Sequence, residues 1–310
     1  MISRRNIRVK VMQTLYTLAT LEDSARAQSA NPQKILQQHF AQTRSLLVYL
    51  TWFLSEVARY AETEAHKRAS KHLPTAEDLN VNTKIAGNST LWKILEDKSL
   101  AAQSDREKPE QKGDTELIRK IYLALADTPE YKAYIASPGR DAAEDKNIVT
   151  FIFNDLMLGN ELFIAHIEDL YTNWNDDGEM ISQVLGGYIQ KPGSVKFGQM
   201  LTPDKEQFAI SLLQTVQEKD QYLHELIIPR LKNWDPDRIA LLDMILMKMG
   251  VAEFLYFETI PPKVTINEYI DLAKEYSTQQ SGQFVNGILD NIHKDLVQQE
   301  KMHKRDHRKA

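Results

Sequence analysis

Ile260-Pro261-Pro262-Lys263-Val264-Thr265-Ile266-Asn267-Glu268, followed by Phe284-Val285-Asn286-Gly287-Ile288-Leu289-Asp290, is the stretch whose reading decides the fold. Pro261-Pro262 stops one element, since proline lacks the amide hydrogen that a continuing helix needs. Thr265 and Glu268 stand at the spacing of a capping box, which opens the next helix. That helix shows Ile266, Ile270 and Ala273 on one face, and a polar loop then ends at Ser281. The last helix turns Phe284, Val285, Ile288, Leu289 and Ile292 inward, while Asn286 and Gly287 allow close helix approach.

Working outward, helical periodicity dominates and no segment alternates as a strand. Ser3 is an N-cap for a first helix that runs to Glu22, with Arg4, Arg5 and Arg8 near one face and Val11, Leu15 and Leu18 toward a core. Asn31-Pro32 pairs a cap with a first-turn proline. It launches a long amphipathic helix through Leu36, Phe40, Leu47, Leu54 and Val57 that fades into the charged run Glu62 to Lys71. Two segments read as loops: His72 to Asn88, with Pro74 and Gly87, and Ala101 to Asp114, with Pro109 and Gly113. Further helices are expected over Leu117–Ile135, broken at Thr128-Pro129, and over Asn147–Trp174. Asn175-Asp176-Asp177-Gly178 reads as a turn. Thr202-Pro203 begins nearly continuous helix up to Leu296. Asn173-Trp174-Asn175-Asp176-Asp177 echoes Asn233-Trp234-Asp235-Pro236-Asp237, either as a degenerate repeat or as two unrelated amphipathic helices ending alike.

Composition narrows the classes of function. The chain has 310 residues, 42% hydrophobic and 26% charged, which is globular and long enough for one large or two ordinary domains. It contains no cysteine. Disulfides, thiol nucleophiles and cysteine-bound zinc are thereby excluded, and a reducing cytoplasm is the expected compartment. No run approaches the roughly 20 apolar residues of a membrane span. A net charge of −5 gives no general attraction to nucleic acid, so any RNA contact has to come from a local basic patch.

The C-terminal string is similar to the NusB family of transcription antitermination factors. Its pattern there runs P-x-x-V-x-I-N-E-x-I-x-L-A-K and then K-F-V-N-G-V-L-D. The opening Arg4-Arg5-x-x-Arg8 with Gln13-x-Leu15-Tyr16 resembles the same family's arginine-rich first helix. The resemblance implies an all-α helical bundle made of residues 1–22 and 204–296. Residues 23–203 would be an inserted helical subdomain, and 297–310 a basic, disordered tail. It also implies a cytoplasmic, non-enzymatic protein that binds boxA RNA of ribosomal operons with NusE, the ribosomal small-subunit protein. RNA polymerase and the other Nus factors are further implied partners. No cofactor, metal or small-molecule substrate is implied. The alternative is a protein-interaction scaffold whose RNA binding is weak or lost.

Arg4, Arg5 and Arg8 are the candidate phosphate and base contacts, with Lys10 adding charge nearby. Cations at a helix start oppose its dipole, which favours a use outside the helix over plain solvated charge. Tyr16 is read either as a stacking platform for an unpaired base or as core. Gln283 stands where the family pattern has lysine, so it keeps hydrogen bonding but releases no counterion. Phe284 faces RNA or core. By the resemblance, Asp237 and Asp243 fall at acidic positions that face NusE; the other reading is a solvated helix face. Catalysis finds no footing. Asp176-Asp177 sits in a turn signal, His39, His66 and His72 lack metal-ligand spacing, and His303 and His307 lie in the tail.

Overall fold

Cap signals become helices where the sequence places them. In the computed structural model, which describes residues 2–21, 30–231 and 239–304, Ser3 caps α1 (Arg4–Ala19) by accepting the Asn6 amide. Asn31 Oδ1 accepts the Lys34 amide at the start of α2 (Pro32–Ala69). All regular elements among the described residues are helical. The chain divides into two compact units, one holding Ile2–His39 with Leu201–Ala310 and the other Phe40–Met200.

The Phe40–Met200 unit is built on α2, whose residues Leu46 to Leu50, Phe53, Leu54, Val57, Ala58 and Ala61 are buried. Shorter helices follow: α3 (Ala76–Leu79), α4 (Ser89–Leu95), α5 (Lys98–Glu107), α6 (Thr115–Asp127), α7 (Pro129–Ala136), α8 (Ala142–Phe151), α9 (Glu161–Leu170) and α10 (Trp174–Gln190). Thr128 ends α6 and caps α7 through the Tyr131 amide, so the break falls at Thr128-Pro129 as expected.

Four expectations fail in this unit. The first half of the expected Ala101–Asp114 loop belongs to the helix Lys98–Glu107, which Asp97 caps by accepting the Ser99 and Leu100 amides. The His72–Asn88 loop contains α3 and a 3-10 turn at Lys84–Gly87. The expected helix over 147–174 is interrupted, by a π-helical turn at Ile152–Met157 and a new cap at Asn160. The turn expected at 175–178 is the first turn of α10, where buried Asp177 accepts from Thr43 Oγ1 and Asn173 Nδ2, each at 2.7 Å. Asn and Asp favour turns and helix starts for the same reason, their reach to nearby polar groups, which is why the signal misleads.

The other unit joins α1 to α11 (Pro203–Glu218), α12 (Asp220–Ile227), α13 (Leu241–Tyr256), α14 (Pro262–Tyr276) and α15 (Ser281–Gln298). α13 is apolar nearly all round, with Ile245, Leu246, Met247, Met249, Val251, Ala252 and Phe254 buried, as a central helix requires. It packs against α1, α11, α12, α14 and α15. Close approach is made by Gly250, where a Cβ would come within 2.9 Å of Leu289 and 3.3 Å of Tyr269. Gly287, expected in that role, is exposed, and a Cβ there meets nothing within 4 Å. α1 crosses the core with Ile7 to Met12 all buried, each aliphatic chain contributing about 1.5–3 kcal/mol. The Asn233–Asp237 half of the suggested repeat lies outside the described residues.

Candidate nucleic-acid interface

The middle of α1 carries a densely polar site in the core of its unit. Glu253, fully buried on α13, accepts from Arg8 Nε at 2.7 Å and Arg8 Nη2 at 3.1 Å. Tyr269 OH donates to it at 2.8 Å and Thr265 Oγ1 at 3.0 Å, both from α14. Arg8 Nη1 also reaches Glu268 Oε2 at 3.3 Å. The guanidinium lies 5.5 Å from the Phe208 ring centre and 5.9 Å from that of Tyr269. Burial opposes the charge of Arg8, but the hydrogen bonds and charge of Glu253 outweigh it and hold the guanidinium still more firmly protonated. Burial, with the carboxylate adding to it, pushes the Tyr269 phenol well up, so it remains a donor.

This cluster corrects two readings of the sequence. Arg8 is buried and spent on Glu253, so it presents no donor to RNA. Thr265 and Glu268 are not a capping box: α14 already begins at Pro262 behind Pro261, and both side chains serve the Arg8–Glu253 pair. The overlooked residue is Glu253, and it had a signal. A carboxylate in the middle of the apolar run Val251–Tyr256 has to be paired if it is buried.

The other arginines do reach the surface. Arg4 is exposed, 5.5 Å over Phe208. Arg5 is partly exposed and bonds Glu275 at 2.7 Å, with Glu268 at 4.0 Å. Lys274, beside Glu275, lies against Gly282 at the start of α15. One end of the bundle therefore gathers Arg4, Arg5, Lys274 and exposed Gln283, with Glu268 and Glu275 between them. Phe284 is half-buried. An exposed ion pair such as Arg5–Glu275 is worth about 0–1 kcal/mol and exchanges readily for a phosphate. Tyr16 is 44% exposed, which removes the core reading. It stands twelve residues beyond Arg4, about 18 Å along the helix, and the buried stretch Ile7–Met12 separates the two ends. The arginines and Tyr16 therefore do not form one continuous stripe on α1.

The two acidic candidates part company. Asp243 is buried in the first turn of α13, where Ser281 Oγ donates to its Oδ2 at 2.8 Å. It ties α13 to the start of α15 instead of facing outward. Asp237 lies outside the described residues. The basic tail is partly placed: the chain reverses after α15 through Glu300 in the left-handed region (φ 52°), and Lys301 N bonds the Leu296 carbonyl. Lys304 Nζ then donates to the Glu253 and Phe257 carbonyls at 2.7 Å each, capping the negative end of α13. Residues 301–304 thus have a docked position where disorder was expected; Arg305 and His307 lie outside the described residues.

No group of acidic and histidine side chains able to hold a metal occurs among the described residues, and no single described helix is long and apolar enough to cross a membrane.

Comparison with known proteins places these features. The NusB family model matches residues 169–294. The chain is 37% identical to the transcription antitermination protein NusB of Salinibacter ruber over 142 residues, 44% of this chain and 82% of that protein. It is 34% identical to the NusB of Chloroherpeton thalassium over 41% of this chain and 64% of that one. The NusB of Methylacidiphilum infernorum is 46% identical over 27% of this chain and 58% of its own length. The chain therefore spans less than two thirds of these last two relatives. No solved structure matches it.

Proposed function

Because the chain belongs to the NusB family, we propose that it is a transcription antitermination factor that binds boxA RNA of ribosomal operons together with NusE, within an RNA polymerase complex. The observation that carries this reading is the set of outward-reaching cations Arg4 and Arg5 on α1 and Lys274 on α14, with Lys274 lying against Gly282 beside the exposed Gln283, in a chain of net charge −5. Arginine forks bind phosphate oxygens, and Gln283 offers a neutral amide to a base or sugar edge. Tyr16 supplies a separate, exposed ring on which an unpaired base can stack. NusE, a basic ribosomal protein, suits a net charge of −5, with Asp237 as the remaining acidic contact of the two proposed.

A specific observation favours a second reading, a protein scaffold with weak RNA affinity: Arg8 is buried, Arg5 is paired, and Gln283 lacks the charge of lysine. Titrating boxA and scrambled RNA against the protein, with and without NusE, separates the two. The antitermination reading expects discrimination that NusE sharpens. Equal, weak binding of both RNAs, unaffected by NusE, leaves the scaffold.

A further inference from the structure

Within the Phe40–Met200 unit, Trp92 on α4 is 51% exposed, and Leu95 one turn on is 36% exposed. A large ring left half in solvent on a short, well-capped helix contributes little to the core it flanks. The helix does not need it for its own formation, because Asn88 Oδ1 accepts both the Thr90 and Leu91 amides and Leu91 and Ile94 fill the buried side.

Four exposed lysines lie on α4 and on two segments that meet just beyond it. Lys93 is next to Trp92, Lys98 opens α5, and Lys191 and Lys196 follow α10. Two hydrogen bonds bring the two segments side by side: Phe197 N to Ser99 Oγ, and Tyr188 OH to Asp97 Oδ2, both at 2.7 Å. None of these lysines makes an ion pair among the described residues. Lys98 in particular sits in the first turn of α5, where its charge opposes the helix dipole. Of the acidic neighbours, Asp97 is occupied by Tyr188 and by the amides it caps, which leaves Glu96 as the exposed one.

We propose that Trp92 and Lys93 on α4, with the exposed Lys98, Lys191 and Lys196 on the two adjoining segments, form a second contact for single-stranded RNA, with a base stacked on the indole and phosphates on the lysines. The inference rests on the reading of the protein as an RNA-binding factor. It adds a binding role for the Phe40–Met200 unit, whereas the arginine end of α1 belongs to the other unit. The chemistry is sequence-tolerant: every base offers a π-face, and lysine acts on phosphate as a point charge. This contact therefore adds affinity for any single strand and no preference for boxA.

The test uses the full chain and fluorescently labelled oligouridylate, followed by anisotropy over a range of salt. Trp92→Ala is expected to weaken binding about 5- to 150-fold, the range for losing one stacked base. Trp92→Phe keeps a ring and is expected to restore most of it. The double variant Lys98→Ala/Lys196→Ala is expected to lower the salt slope by about 1.4, about 0.7 for each phosphate contact. All three positions are exposed enough that the circular dichroism spectrum should match wild type. If wild-type protein discriminates boxA but Trp92→Ala binds oligouridylate as wild type does, this contact is wrong and the antitermination reading stands. If the wild type binds neither RNA, the underlying reading fails first. If Trp92→Ala leaves RNA affinity intact and abolishes NusE association, the patch is a protein contact and the inference is overturned.

Discussion

Replacing Arg8 by methionine separates a structural arginine from an RNA-binding one. The substitution keeps most of the aliphatic stem but leaves Glu253, fully buried, facing Thr265 and Tyr269 with no cation. Removing one partner of a buried pair costs about 3–5 kcal/mol, because the remaining charge stays desolvated. At about 2–4 °C per kcal/mol for a domain of this size, the transition of this unit should fall by roughly 6–20 °C. Differential scanning calorimetry suits the measurement, since two units need not unfold together. The transition belonging to Phe40–Met200 should stay where it is. Arg8→Lys keeps the charge but not the two-pronged geometry, so it should lie between wild type and methionine. Adding Glu253→Gln to Arg8→Met removes the orphaned charge and should recover much of the loss, since the amide still accepts from Thr265 and Tyr269. RNA affinity, measured well below the new transition, should be unchanged. An Arg8→Met protein that melts like wild type but loses RNA affinity would refute the buried cluster and return Arg8 to the surface.

Gln283→Lys should raise boxA affinity and steepen its salt dependence by about 0.7, as read by filter binding; an unchanged slope would mean that no phosphate passes that position. Asp243→Ala removes the charged acceptor of the Ser281 hydroxyl, which keeps Ser277 and Thr278 as partners, and should cost about 1–3 kcal/mol in urea denaturation, so weaker NusE binding by this variant counts as docking evidence only if the fold is intact. Burial pushes the Lys304 ammonium down to about 8, below the ordinary lysine value near 10.4. Between those values the unfolded chain binds more protons, so this group makes stability rise with pH, and the Lys304 Cε resonance should titrate near pH 8. A midpoint above 10 would mean that the side chain is undocked.

Helix positions were legible wherever a local rule acted alone. Ser3, Asn31-Pro32 and Thr128-Pro129 each bound a helix through a cap or a proline, with no long-range help. In the misread segments packing overrides a local signal: charge with Pro109 and Gly113 reads as loop over Ala101–Asp114, and Asn175 to Gly178 reads as a turn. Asp97 and Asp177 cap or anchor helices with the same short polar reach that makes aspartate a turn former, and only the packing partners, Tyr188 and Thr43, decide between them. The site was half legible. The number of arginines on α1 was readable, but which one turns inward depends on Glu253, far along the chain. The spacing Thr265-x-x-Glu268 satisfies a local motif and a distant ion pair equally well, and the distant pair prevailed because a buried carboxylate costs more than an uncapped amide.

The Arg8–Glu253 pair spans 245 residues, and this separation has a temporal meaning. At roughly 5–20 residues per second on the ribosome, Arg8 emerges about 12–50 s before its carboxylate exists. Phe40–Met200 is a continuous segment and can close as soon as it has been made, while α1, with its apolar middle, waits upstream. α1 is thus synthesised before the Phe40–Met200 unit yet buried after it. Its neighbours α13 and α14 are made only after the Phe40–Met200 unit, so a nascent chain arrested before Glu253 should expose α1 to protease while that unit resists.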